Sequence, residues 1–142
     1  MAFFDTSALV PLCVNETTSA DAGRVWKRLA KRIVWCETIV ELESAIARLL
    51  REKELDTIEF NKAKKRLERL ETDWKIIEYN TRIIELARTF PFKYQLKAAD
   101  SLQLAAALVW CKEFPKNKDF VCGDARLRKA AESAGFTIHD LS

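Results

Sequence analysis

Four carboxylates in this 142-residue chain occupy places that ask for a chemical reason. Asp5 closes the apolar run Ala2-Phe3-Phe4 and is followed by two hydroxyl residues, Thr6 and Ser7. Glu41 lies one turn into a stretch whose apolar residues recur at helical spacing. Asp100 stands near the start of a segment that is apolar nearly all round, and Asp124 follows Phe120-Val121-Cys122-Gly123. Each has an ordinary explanation when taken alone. Asp100 would complement a helix dipole, Asp124 would cap a helix, and Glu41 or its neighbour Glu43 would be solvated. Their meeting would be another matter. Two carboxylates about 5 Å apart repel by roughly 3 kcal/mol at an effective dielectric near 20. A larger cluster needs a cation, or its pKa values rise. An all-oxygen ligand set suits Mg²⁺ or Mn²⁺ rather than zinc. Ions of that kind activate water for phosphodiester hydrolysis and stabilise the leaving oxygen. Clustered, the four acids describe a metal-dependent nuclease or phosphatase.

The elements that would position them follow from periodicity. Ala2–Phe4 is a short buried strand ending at the acid, and Ser7 to Val14 a short helix or turn. Thr17, Thr18 and Ser19 offer caps for a helix to about Lys31, with Ala22, Val25, Trp26, Leu29 and Ala30 on its inner face. Ile33-Val34-Trp35-Cys36 reads as a second strand. Thr38 caps a helix through about Glu52, with Ile39, Leu42, Ile46, Leu49 and Leu50 as its stripe. Asp56 and Thr57 open another helix, on Phe60, Ala63, Leu67 and Leu70, and the two form an antiparallel hairpin. Trp74 to Ile77 is a third strand, and Asn80 caps a helix to about Thr89 that Phe90-Pro91-Phe92 breaks into a loop. Lys97 to Glu113 is a buried helix. Phe120–Cys122 is a fourth strand, Asp124 to Ala134 a helix with Gly135 as its C′ residue, and Phe136–Ile138 a last strand. Alternating strands and helices predict an α/β fold, a parallel sheet covered on both faces. Ligands of such sheets sit beyond the C-terminal strand ends, so Asp5 and Asp124 meet there if their strands are neighbours.

Composition narrows the setting. The length fits one domain over residues 1–142 with a core that needs no disulfide or structural metal. No apolar run approaches the roughly 18–20 residues of a membrane span, and a signal-peptide pattern is missing, so the expectation is a cytoplasmic protein without a membrane partner. Cys13, Cys36, Cys111 and Cys122 are scattered beside apolar residues and read as small buried hydrophobes. The net charge of +3 is too mild to identify a nucleic-acid binder. Two basic segments, Arg24 to Arg32 and Lys62 to Arg69, would track phosphates or simply be solvated helix faces. His139, the single histidine, has no role that metal-assisted hydrolysis requires.

Four motifs in order carry a resemblance over nearly the whole chain. Phe4-Asp5-Thr6-Ser7-Ala8-Leu9, the helix Thr38 to Arg48 with Glu41, Ala99-Asp100-Ser101-Leu102-Gln103-Leu104-Ala105 and Val121-Cys122-Gly123-Asp124-Ala125-Arg126-Leu127 resemble the PIN-domain ribonucleases. The similarity is closer still to the VapC-type toxins of toxin–antitoxin pairs. The resemblance implies a three-layer fold with a five-stranded parallel sheet, its first and fourth strands adjacent at the centre. It implies Asp5, Glu41, Asp100 and Asp124 as catalytic metal ligands for Mg²⁺, with Mn²⁺ possible, in an endoribonuclease. Glu43, two residues on, faces another side of the helix and is the rival to Glu41. Thr6 and Ser7 would support a metal ligand or a phosphate oxygen. Arg48 would bind substrate phosphate or pair with an acid. The implied partners are an RNA substrate, a cognate antitoxin and a second copy of the chain. Two positions depart from the family pattern: Cys122 replaces a hydroxyl residue and Gln103 a frequent histidine. Rival functions are a catalytically weak RNA-binding or scaffold module on the same fold, and a structure-specific DNA nuclease.

Overall fold

The structure is a computed structural model describing residues 1–142. Its strands are β1 (Ala2–Phe4), β2 (Arg32–Trp35), β3 (Trp74–Ile77), β4 (Asp119–Cys122) and β5 (Thr137–Asp140). All pair in parallel, in the order β3-β2-β1-β4-β5. The helices are α1 (Thr6–Cys13), α2 (Ser19–Arg28), α3 (Thr38–Arg51), α4 (Thr57–Glu71), α5 (Thr81–Ala87), α6 (Phe90–Lys93), α7 (Ala98–Trp110) and α8 (Ala125–Ala134).

The central strand divides the core in two, because alternate side chains of a strand point to opposite faces. Phe3 joins Ile33, Trp35, Phe120 and Cys122 under α5, α7 and α8. Ala2 and Phe4 join Val34 and Val121 under α1 to α4. Phe3 and Phe4 are both almost wholly buried, so β1 cannot slip by one residue without exchanging its two faces. Order β2-β1-β4 makes the C-terminal edge of β1 and β4 the topological switch point.

Element ends differ from the sequence reading where local chemistry decides them. Asp5 follows the last residue of β1, as expected, and also caps α1, its carboxylate accepting from the Ser7 amide at 3.2 Å. Glu37, not Thr38, holds the cap position of α3. Phe90-Pro91-Phe92 forms the short helix α6 in place of a loop, because proline at the first turn loses no helical hydrogen bond. α7 ends at Trp110, three residues short of Glu113, where Lys112 and Glu113 turn to positive φ.

Candidate active site

Asp5 sits at the floor of the C-terminal edge, 2% exposed. Its backbone amide donates to the Val121 carbonyl at 3.2 Å, which ties the end of β1 to β4. Ser7 holds its side chain. The Ser7 hydroxyl donates to the Asp5 carboxylate oxygens at 2.8 and 2.9 Å and accepts from the Gly123 amide at 2.8 Å. One serine thereby links the loop after β1 to the loop after β4. Gly123 makes that approach possible, since a Cβ there would lie 3.0 Å from the Ser7 carbonyl oxygen. Burial pushes the Asp5 pKa up to about 7, against the Ser7 hydrogen bonds that lower it, and the Asp100 charge adds to the rise.

Glu41 reaches the same edge from α3. Its Oε2 accepts from the Thr6 hydroxyl at 2.7 Å, and its Oε1 from Gln103 Nε2 at 3.3 Å. Gln103, buried on α7, also donates to Thr6 Oγ1 and Thr38 Oγ1, each at 3.0 Å. This network joins α1, α3 and α7 around one carboxylate. Burial raises the Glu41 pKa, and the Thr6 and Gln103 bonds oppose it. Glu43 turns the other way and pairs with Lys64 of α4. Of the two rivals, only Glu41 shares the edge with Asp5.

Asp100 lies in the first turn of α7, half-buried. Burial raises its pKa, the Asp124 charge adds to that, and Lys97 and Arg126 pull it back. Asp124 is exposed and caps α8, accepting from the Leu127 amide at 2.9 Å. The structure therefore brings all four acids to one edge, with Asp100 repelling each of the other three. No three acid, histidine or cysteine side chains converge on a common point as ligands. Asp5, Glu41 and Asp124 instead each accept from donors of their own: Ser7, Thr6 with Gln103, and the Leu127 amide of α8.

The remaining residues singled out in the sequence fall as follows. Arg48 lies on α3, exposed, along a groove it shares with Glu41, and makes no ion pair. His139 bonds Asp119 at 3.0 Å and faces Arg28 at 3.2 Å, a tie between β5, β4 and α2. Cys122 does more than fill space: its Sγ donates to the Asp124 carbonyl and accepts from the Asp124 amide, at 3.2 and 3.4 Å. The basic segments are partly consumed by structure, as Arg32 bonds the Trp26 carbonyl and Arg66 the Cys13 carbonyl. Sequence reasoning missed the linking role of Gln103 and the cations Lys97, Arg126 and Lys129 beside Asp100 and Asp124. The signal for the latter was present: two of them flank a site acid within three residues.

A model of the PIN domain matches residues 2–132. The chain belongs to the PIN-domain family. PIN domains are nucleases. Solved structures share the fold at low identity. A toxin–antitoxin complex from Klebsiella pneumoniae superposes with a TM-score of 0.65 at 18% identity, over 96% of this PIN domain and 97% of that chain. FitAcB from Neisseria gonorrhoeae gives 0.69 at 18%, over 96% and 97%. PAE2754 from Pyrobaculum aerophilum gives 0.70 at 20%, over 99% and 83%. Among curated proteins, none matches the sequence.

Proposed function

We propose that this PIN domain is a metal-dependent endoribonuclease and the toxin of a type II toxin–antitoxin pair. The observation that carries the nuclease reading is that Asp5, Glu41, Asp100 and Asp124 all lie along the switch-point edge, where the Asp100 charge raises the pKa of Asp5 and Glu41 and the Asp124 charge that of Asp100. The toxin reading is supported by a fold neighbour that is a toxin–antitoxin complex, that from Klebsiella pneumoniae.

The donor set fits a hard divalent cation, Mg²⁺ or Mn²⁺. It is all oxygen, its buried members carry raised pKa values that a cation would reverse, and water would complete the coordination. A bound ion would supply charge neutralisation and an activated water for in-line attack on phosphate. The protein's own part is orientation. Asp5 is fixed by Ser7, Glu41 by Thr6 and Gln103, and Asp124 by the Leu127 amide, while Asp100 keeps freedom to close on an ion. Arg48 would neutralise substrate phosphate. A second copy of the chain, an antitoxin and a cytoplasmic setting complete the proposal.

Purified protein, freed of any antitoxin, should cleave RNA in Mg²⁺ or Mn²⁺ and stop in EDTA. An Asp5→Asn variant should be inert. Cleavage surviving EDTA or that substitution overturns the metal-site reading, and preference for DNA overturns the ribonuclease assignment.

A further inference from the structure

The acid cluster lies between two cationic grooves. On one side a cleft of about 740 Å³ runs beside α7 and α8, with Asp100 and Asp124 in its wall and Lys97, Arg126 and Lys129 around them. On the other, a groove of about 470 Å³ follows α3 past Glu41, Ser44, Arg48 and Arg51. The spacing of those α3 residues puts them on one helix face. At 1.5 Å per residue, Arg51 lies about 15 Å beyond Glu41 along the axis, and Lys129 about 7 Å beyond Asp124. None of the five cations is in an ion pair, whereas Lys64, Arg82 and Arg128 are. They are held near acids yet left free.

An unshielded acid cluster repels a polyanion, and a metal ion offsets only the charge at the reacting phosphate. The neighbouring phosphates need cations of their own. We propose that the two grooves form one phosphate track across the acid cluster: Arg48 and Arg51 grip a nucleic-acid strand on one side of the scissile bond, and Lys97, Arg126 and Lys129 grip it on the other. This rests on the nuclease reading and adds a consequence to it. A strand held on both sides of the cut is cleaved internally, with no need for a free end.

The test reads binding, so it does not depend on turnover. In an Asp5→Asn background, the affinity for a fluorescent single-stranded RNA of mixed sequence is measured across salt concentrations. Removing one cation that neutralises a phosphate should flatten the slope of log K against log salt by about 0.7. Arg51→Ala and Lys129→Ala should each do so, while Lys75→Ala, on the exposed edge strand β3, should leave the slope unchanged. Equal flattening by all three variants would mean that only net charge matters, and would overturn the track. Flattening by Arg51→Ala alone or Lys129→Ala alone would also overturn it, in favour of a one-sided groove. A protein that cleaves nothing in any metal, yet shows the expected slopes, would retain the track and lose the nuclease reading.

Discussion

Asp5 is the residue in which folding and chemistry conflict most directly. Burial raises its pKa to about 7, so between about pH 4 and pH 7 the folded state holds a proton that the unfolded chain has released. Stability therefore falls as pH rises through that window and is flat above it, the opposite of an ion-paired acid. At about 1.4 kcal/mol per pH unit, the loss is on the order of 4 kcal/mol. Thermal melts of the metal-free protein in EDTA should show a Tm that declines between pH 4 and pH 7. Asp5→Asn should blunt that decline; an unchanged profile would mean that Asp5 is not the buried group responsible. Gln103 makes the second residue-scale argument. Partners that orient metal ligands typically contribute 10–100-fold to affinity or activity. Gln103→Leu should therefore lower Mg²⁺ affinity in calorimetry by a factor in that range, with the fold intact by circular dichroism. An affinity equal to wild type would reduce Gln103 to a packing residue.

Among the elements, α8 separates structure from chemistry most cleanly, because Asp124 both caps it and faces Asp100. Asparagine caps a helix about as well as aspartate, whereas alanine costs about 1 kcal/mol. Asp124→Asn should leave urea unfolding near wild type while cleavage collapses, and Asp124→Ala should lose both. If Asp124→Asn keeps full activity, the residue is a cap and nothing more. The same duality explains what was legible in the sequence. β3 was read to the residue, and the order of elements followed from periodicity, because Trp74 to Ile77 and the stripe of α3 obey local rules. The four acids stood out as candidates because each stands at an element end or within its first turn. The bonds between elements were not. That Gln103 would reach Thr6, Thr38 and Glu41 depends on how α1, α3 and α7 converge, which no local pattern encodes. The α6 turn was missed because proline was read as a breaker, although at a helix start it is a starter.

For the molecule as a whole, the switch-point edge concentrates repulsion that the rest of the fold must outweigh. The two cores and the parallel sheet hold Asp5, Glu41 and Asp100 in place although burial favours their neutral forms. A cation that binds only the folded state would relieve this strain, and its effect on global stability reports the site independently of catalysis. At a free concentration 100 times its dissociation constant, such a ligand stabilises by about 2.7 kcal/mol. For a chain of this size, that is a rise in Tm of roughly 5–10 °C. Above pH 7, where Asp5 is charged, Mg²⁺ or Mn²⁺ should produce this rise in the wild type. Near pH 4, with Asp5 protonated, the rise should shrink. Asp5→Asn should start from a higher Tm in EDTA, since it removes a buried charge, and should gain little from the ion. Glu43→Gln, whose side chain pairs with Lys64 on the far side of α3, should gain as much as wild type. An equal metal-induced rise in Asp5→Asn would place the ion elsewhere on the protein, and would remove the reason for this fold to keep four acids at its switch point.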